Sequence, residues 1–306
     1  MTIENMLENC RICPRRCGAN RTTGQKGYCG ADDQIRIARA APHMWEEPCI
    51  SGKRGSGAVF FSGCSLRCIY CQNLEISLGG SGKAVTIPAL SDIFLRLQEK
   101  GVHNINLVTA GHYTPQVVQA LRLAKTDGLV IPVVWNSSGY ERVETLRLLE
   151  GLVDIWLPDF KYEDAQLAGE LSKAPDYPDV ARASLQEMVR QTENEGGTAF
   201  SEDGMMQRGV IVRHLLLPGH VKQSERVVSY LLDTYGNRIR ISLMSQYTPM
   251  PAMAGDPLLA RRVTKREYER LVRFATDRGL EEGFIQEREV AKESFIPAFD
   301  GTGVLA

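Results

Sequence analysis

The chain has 306 residues, 43% of them hydrophobic and 24% charged, with a formal net charge of -1. That profile suits one large or two ordinary globular domains with ample core, and so even a charge balance gives no long-range attraction to nucleic acid or an anionic membrane. No window approaches the ~18 consecutive apolar residues of a membrane-spanning helix. The opening MTIENMLENC is acidic and polar, unlike an export signal, so a cytoplasmic location is expected.

Residues 1–50 are rich in cysteine and turn formers, as in CPRRCGANRTTGQKGYCG, and read as a small metal-binding module ahead of a core spanning 51–306. A disulfide framework belongs to small exported domains that lack a core, so thiols clustered in a large chain point to metal or redox chemistry. Cys10, Cys13, Cys17 and Cys29 have spacing that suits tetrahedral zinc or a second iron–sulfur cluster. Cys49 has no near neighbour and reads as a free thiol in a loop. GKRGSG at 52–57 lacks the order of a phosphate loop, because its glycines precede a strand rather than follow one.

From there apolar runs alternate with helical segments. AVFFSG (58–63), INLVTA (105–110), LVIPVVWN (129–136), VDIWLPD (153–159), GVIVRHLLLPG (209–219) and IRISLMS (239–245) read as strands, apolar on both faces. Between them Leu90, Ile93, Phe94 and Leu97 form one helical face. Thr114 with Pro115 reads as a helix N-cap, and Thr264 with Glu267 as a capping box. Residues 160–208 exceed the needs of one helix, and 194–209 read as an excursion loop. Six strands alternating with helices give a parallel α/β architecture, either a doubly wound sheet or a partial barrel.

Directly after the first of these strands comes FFSGCSLRCIYCQN, with Cys64, Cys68 and Cys71 at the face where parallel α/β folds bind ligands. Three soft thiolates in a compact loop suit a four-iron cluster with one iron left open; structural zinc is the plainer alternative. This CxxxCxxC, with Tyr70 before its last cysteine, resembles the signature of the radical S-adenosylmethionine (SAM) superfamily. CPRRCGANR, EEPCISGKRGSGAVFFSGC, NINLVTAGHYTPQ, NSSGYE, DIWLPDFKY and FIPAFDGTG together resemble the PflX-like group, related to pyruvate formate-lyase activating enzymes.

The resemblance implies a partial (β/α)6 barrel and a [4Fe-4S] cluster on Cys64, Cys68 and Cys71. It also implies SAM cleavage to a 5′-deoxyadenosyl radical, and an oxidoreductase of the glycyl-radical activase kind. A protein substrate and an electron donor such as flavodoxin or ferredoxin follow from it. Where relatives carry Gly-Gly-Glu, this chain has Thr109, Ala110, Gly111 and His112; the glutamate is absent. Where relatives carry Asp-Thr-Asn-Gly it has Asn136, Ser137, Ser138 and Gly139, followed by Asp159 and Lys161. Tyr70, Thr109, Gly111, His112, Asn136, Ser138, Asp159 and Lys161 are therefore candidate cofactor contacts. Arg213, a charge within an apolar strand, is expected either to reach SAM or to pair with a barrel carboxylate, and Tyr247 faces the same end. Other readings are a radical SAM reaction on a peptide or small molecule, or a non-catalytic iron–sulfur or zinc scaffold.

Overall fold

A computed structural model describes residues 3–286 and 297–304. The strands are β1 (Ile35–His43), β2 (Ser56–Phe61), β3 (Lys83–Val85), β4 (Ile105–Val108) and β5 (Val133–Ser137), then β6 (Ile155–Pro158), β7 (Ala199–Phe200), β8 (Met206–Leu215), β9 (Arg240–Met244) and β10 (Gly283–Ile285). Helices α1 (Ile3–Glu8), α2 (Pro48–Ser51), α3 (Leu74–Ser77), α4 (Ile87–Glu99) and α5 (Thr114–Thr126) occupy the first half. The second half carries α6 (Val143–Leu146), α7 (Ala165–Ser172), α8 (Tyr177–Asn194), α9 (Val221–Tyr235) and α10 (Lys265–Asp277).

Strand order decides between the two architectures left open by the sequence. The sheet runs β10-β9-β8-β6-β5-β4-β2-β1-β3. From β2 to β10 every neighbouring pair along it is parallel, with the strands in chain order. A doubly wound sheet reverses its order at a switch point; this one winds in a single direction, as a partial barrel does. Its six strands β2, β4, β5, β6, β8 and β9 correspond to the six apolar runs.

Several local expectations change. Residues 1–50 are not wholly separate, because β1 pairs antiparallel with β2 inside the main sheet, burying Ile35, Ile37, Ala38 and Ala40. Thr114 is the first helical residue of α5 rather than its cap: its hydroxyl donates back to the Gly111 carbonyl at 2.8 Å. Within the supposed loop 194–209, β7 pairs antiparallel with the start of β8 to make a hairpin. The capping box at α10 forms as expected, and α4 buries Leu90, Ile93, Phe94 and Leu97. Phe295 and Ile296 of the FIPAFDGTG stretch lie outside the described residues. Beyond them Phe299 packs on Phe60 at 5.5 Å, and Gly301 and Thr302 bond to the backbone of β1.

The strands are not apolar on both faces. In-register neighbours share a face, and side chains alternate along each strand. One face carries Val59, Phe61, Leu107, Trp135, Trp156, Val212 and Leu243, buried in the main core with the helices. The other carries Ala58, Phe60, Val108, Val134, Ile155, Leu157 and Ile211, and then polar residues: Asn106, Asn136, Asp159, Arg213 and Ser242. Cys49 and Ile50 of α2 pack against this inner face, so Cys49 is a buried helical residue rather than a loop thiol.

Arg213 takes the barrel-carboxylate partner of its two expected partners. Its guanidinium holds Glu47 through two bonds, of 2.8 and 2.6 Å, and also pairs with Glu46. Asn106 donates to Glu46 at 2.8 Å. Burial pushes the Glu47 carboxyl up, but Arg213 outweighs it and holds the group below the ordinary carboxylate range. Removing one partner of a buried pair strands the other charge. Arg213→Met should therefore lower unfolding free energy by about 3–5 kcal/mol in urea titrations, whereas replacing Arg213, Glu46 and Glu47 together with apolar residues should cost much less.

Candidate functional site

The three thiols follow the C-terminal end of β2. The chain turns there at Gly63, φ +96°, where a Cβ would stand 2.7 Å from the Cys29 carbonyl oxygen and 3.0 Å from His112 Nε2. Only glycine fits such a turn and such neighbours. The Cys64 amide then donates to the Cys29 carbonyl at 3.2 Å, Cys71 to Cys68 at 3.2 Å, and Ile69 to Leu171 at 2.9 Å. The loop is thus tied both to the N-terminal cysteines and to the end of α7.

Burial raises the Cys68 thiol to about 12, opposed by Lys161 and reinforced by Cys64 and Cys71; burial and Cys64 also raise Cys71. Neighbouring thiols packed in one short loop need a cationic centre before all three can ionise. That donor chemistry fits a four-iron cluster. Lys161 makes a 2.6 Å pair with Asp159. Burial alone would lower its pKa, but Asp159 and Cys68 outweigh this, so it stays charged beside the loop.

The N-terminal cysteines gather in the same way. Burial lifts Cys13 to about 12, with Cys29, Cys10 and Cys17 adding to it, and Cys29 is raised by burial and by Cys10 and Cys17. Gly27 makes room for them: a Cβ there would lie 3.3 Å from Cys17 Sγ and 3.5 Å from Cys29 Sγ. Among the described residues no three Cys, His, Asp or Glu side chains are already closed around one point as a single metal ion requires.

Two arginines of the cysteine-rich segment, which the thiol pattern alone does not single out, clamp the sets together. Arg15 donates to the carbonyls of Ser65 (2.9 Å), Leu66 (3.2 Å), Ser172 (3.0 Å) and Lys173, its guanidinium 4.3 Å from the Tyr28 ring centre. Arg21, fully buried, bonds the carbonyls of Asp32 and His112.

The expected cofactor contacts divide into three places. Thr109, Gly111, His112 and Ser138 line one small cleft with Cys13, Ser65 and Glu141. Thr109 has φ +60°, costly for a β-branched residue and frequent at functional sites, and its amide bonds the Asn136 carbonyl at 2.8 Å. His112 gives Nε2 to the Ser62 carbonyl at 2.8 Å; burial and then Arg21 hold its pKa down at about 3, so it is a neutral tie between β2 and β4. Asp159 and Lys161 lie beside Cys68, and Asn136 shares their inner face. Arg213 stands apart with its glutamates. Tyr70 is buried with its hydroxyl 2.7 Å from that of Tyr162, and Tyr247 is buried with its hydroxyl on the Leu259 carbonyl.

Glu141 was the least expected member, although it ends the NSSGYE motif. Its carboxylate accepts from Trp135 Nε1 and Ser137 Oγ, both at 2.8 Å, and a Cβ on Gly111 would stand 2.8 Å from its Oε1. Burial raises its pKa from 4.5 to about 7 against those two donors. A raised folded-state pKa contributes stability below pH 4.5 that is lost as pH rises through about 7. The wild-type protein should therefore lose roughly 3 kcal/mol across that window in equilibrium unfolding, a slope that Glu141→Gln should remove.

Residues 51–170 match the family model described as a 4Fe-4S single cluster domain. The uncharacterized protein MJ0674 of Methanocaldococcus jannaschii is 28% identical over 279 residues, covering 89% of this chain and 75% of that protein. A radical SAM methyltransferase structure from Sphaerobacter thermophilus aligns with TM-score 0.52 and 16% identity over 75% of this chain and 65% of its own. SuiB of Streptococcus suis, solved bound to S-adenosylmethionine, aligns with TM-score 0.47 and 12% identity over 73% of this chain. The chain spans 48% of SuiB, and under two thirds of the methyltransferase. No helix among the described residues is long and apolar enough to cross a membrane.

Proposed function

We propose that this chain is a radical SAM enzyme in which Cys64, Cys68 and Cys71 hold a [4Fe-4S] cluster beside bound SAM, a reading supported by its barrel and by the cluster-domain match across its cysteine loop. Such a cluster supplies the one electron that splits SAM into methionine and a 5′-deoxyadenosyl radical, which takes a hydrogen atom from the substrate. The observation that carries this reading is the meeting of three cysteines of one short loop with a charged lysine, paired to Asp159, at the C-terminal end of the barrel. Lys161 offers its ammonium to the SAM carboxylate in exchange for Asp159. Thr109, Gly111 and Ser138 offer backbone and hydroxyl groups to the amino end, and neutral His112 keeps their strand against the cluster loop.

The substrate, on this reading, is a protein from which hydrogen is taken, as in glycyl-radical activation. The kinship of motifs such as NINLVTAGHYTPQ supports it. The N-terminal thiols form a second metal centre, zinc or iron–sulfur, supported by the proximity of Cys10 and Cys17 to the buried Cys13 and Cys29 and by the room left at Gly27. Electrons come from a flavodoxin or ferredoxin. Eight cysteines, none in a disulfide, suit a reducing cytoplasm.

Anaerobic protein reconstituted with iron and sulfide, then given dithionite and SAM, should yield 5′-deoxyadenosine by mass spectrometry, and Cys68→Ala should abolish it. Adding a glycyl-radical enzyme should raise the yield and produce an organic radical signal in electron paramagnetic resonance. Protein that carries its full cluster yet never cleaves SAM, with or without that partner, would sink the proposal in favour of the scaffold.

A further inference from the structure

Ser172, the last residue of α7, is fully buried and its hydroxyl lies 3.0 Å from Cys68 Sγ. On its other side Ser172 Oγ is 2.8 Å from the Tyr162 hydroxyl, which is 2.7 Å from that of Tyr70. Each hydroxyl owns one proton. Once Cys68 is a thiolate it can only accept, so Ser172 must donate to it. Tyr162 must then donate to Ser172, and Tyr70 to Tyr162. One ligand therefore fixes the direction of the whole chain, and every member polarises the next in a dry environment.

Backbone geometry holds Ser172 in place. Lys173 adopts a left-handed conformation, φ +51°, that ends α7, and Arg15 binds the Ser172 and Lys173 carbonyls together with those of Ser65 and Leu66 in the cluster loop. The Ile69 amide closes the other edge on Leu171. A serine that merely filled space would need neither the paired tyrosines nor this clamp.

We propose that Ser172, clamped by Arg15 and polarised by Tyr162 and Tyr70, is a positioning residue whose hydrogen bond to Cys68 sets the reduction potential of the cluster. This rests on the cluster assigned above. Reduction adds negative charge to the cluster and its sulfurs, so a donor aimed at one sulfur favours the reduced state and raises the potential. The cluster is thereby made easier to reduce by its electron donor.

The test is a redox titration of reconstituted protein followed by electron paramagnetic resonance, with iron and sulfide counted and thermal unfolding recorded. Ser172→Ala should disfavour reduction by up to about tenfold, a shift of ~59 mV to more negative potential for one electron. Tyr162→Phe keeps the serine but removes its polarising donor, and should shift the same way by less. Ser172→Thr keeps the hydroxyl and should restore the wild-type value. Unmoved potentials in Ser172→Ala and Tyr162→Phe, at full cluster content, would overturn the inference; so would a shift that Ser172→Thr fails to restore. If Ser172→Ala cannot hold a cluster, Tyr162→Phe decides alone. Wild-type protein that never takes up a four-iron cluster would instead overturn the cluster assignment, and this inference with it.

Discussion

Ionised sulfurs repel one another, and seven cysteines meet at one end of this sheet: three in the loop after β2, and four in the segment bonded to that loop through Cys29 and Cys64. Burial makes the repulsion stronger, since it removes the water that would screen it. Much of the surrounding structure answers this constraint. Burial raises the Cys68 and Cys29 thiols, opposed by Lys161 and Arg21 respectively, and Arg15 and Arg67 stack on Tyr28 at 4.3 and 4.8 Å. Arg15 and Arg21 also bind carbonyls, so Arg21, which offsets charge at Cys29, fixes the backbone as well. The Arg15 bonds and the Cys64–Cys29 backbone bond tie the N-terminal segment to the loop after β2 mechanically.

The barrel interior solves a second charge problem by a different route. Inner positions are mostly apolar near α2, with Asn106 among them, and polar further along, where Asp159, Arg213 and Ser242 stand in register on one face. Arg213 is paired with two glutamates from the segment that follows β1. A guanidinium held bidentately by Glu47 and also engaged by Glu46 is not available to a ligand without breaking that set. Asp159 and Lys161, one pair at the open end, can instead exchange partners as a charged ligand arrives. The division between fixed and exchangeable charge separates what holds the barrel from what can serve the site.

How much of this was legible in the sequence depends on range. The cysteine loop, the six apolar runs and the α10 capping box follow from spacing and periodicity within a few residues. Strand order does not, because hydrophobic runs carry no record of which neighbours pair. The β1 strand lay hidden in a cysteine-rich stretch whose composition suggested turns. Arg213 was recognisable as a residue in need of a partner, but Glu46 and Glu47 lie 167 and 166 positions away. Ser172 was invisible for the same reason: its significance comes from Cys68, 104 positions away, and from a helix that ends in a left-handed residue.

The missing glutamate of the second strand end shows how tertiary placement can rewrite a motif. Position 111 is glycine here for a physical reason the motif does not give: any side chain would strike the Glu141 carboxylate at 2.8 Å. That carboxylate comes from beyond the third strand, is fixed by Trp135 and Ser137, and lines the same cleft as Thr109 and Ser138. An acid is therefore present beside this strand end although the local sequence lacks one. Burial leaves it poised near neutrality, so a cation brought against it would favour ionisation, whereas a standard exposed glutamate would already be ionised. Comparing motifs position by position finds only a loss; following the chain in space finds a carboxylate with a different attachment and a different proton affinity.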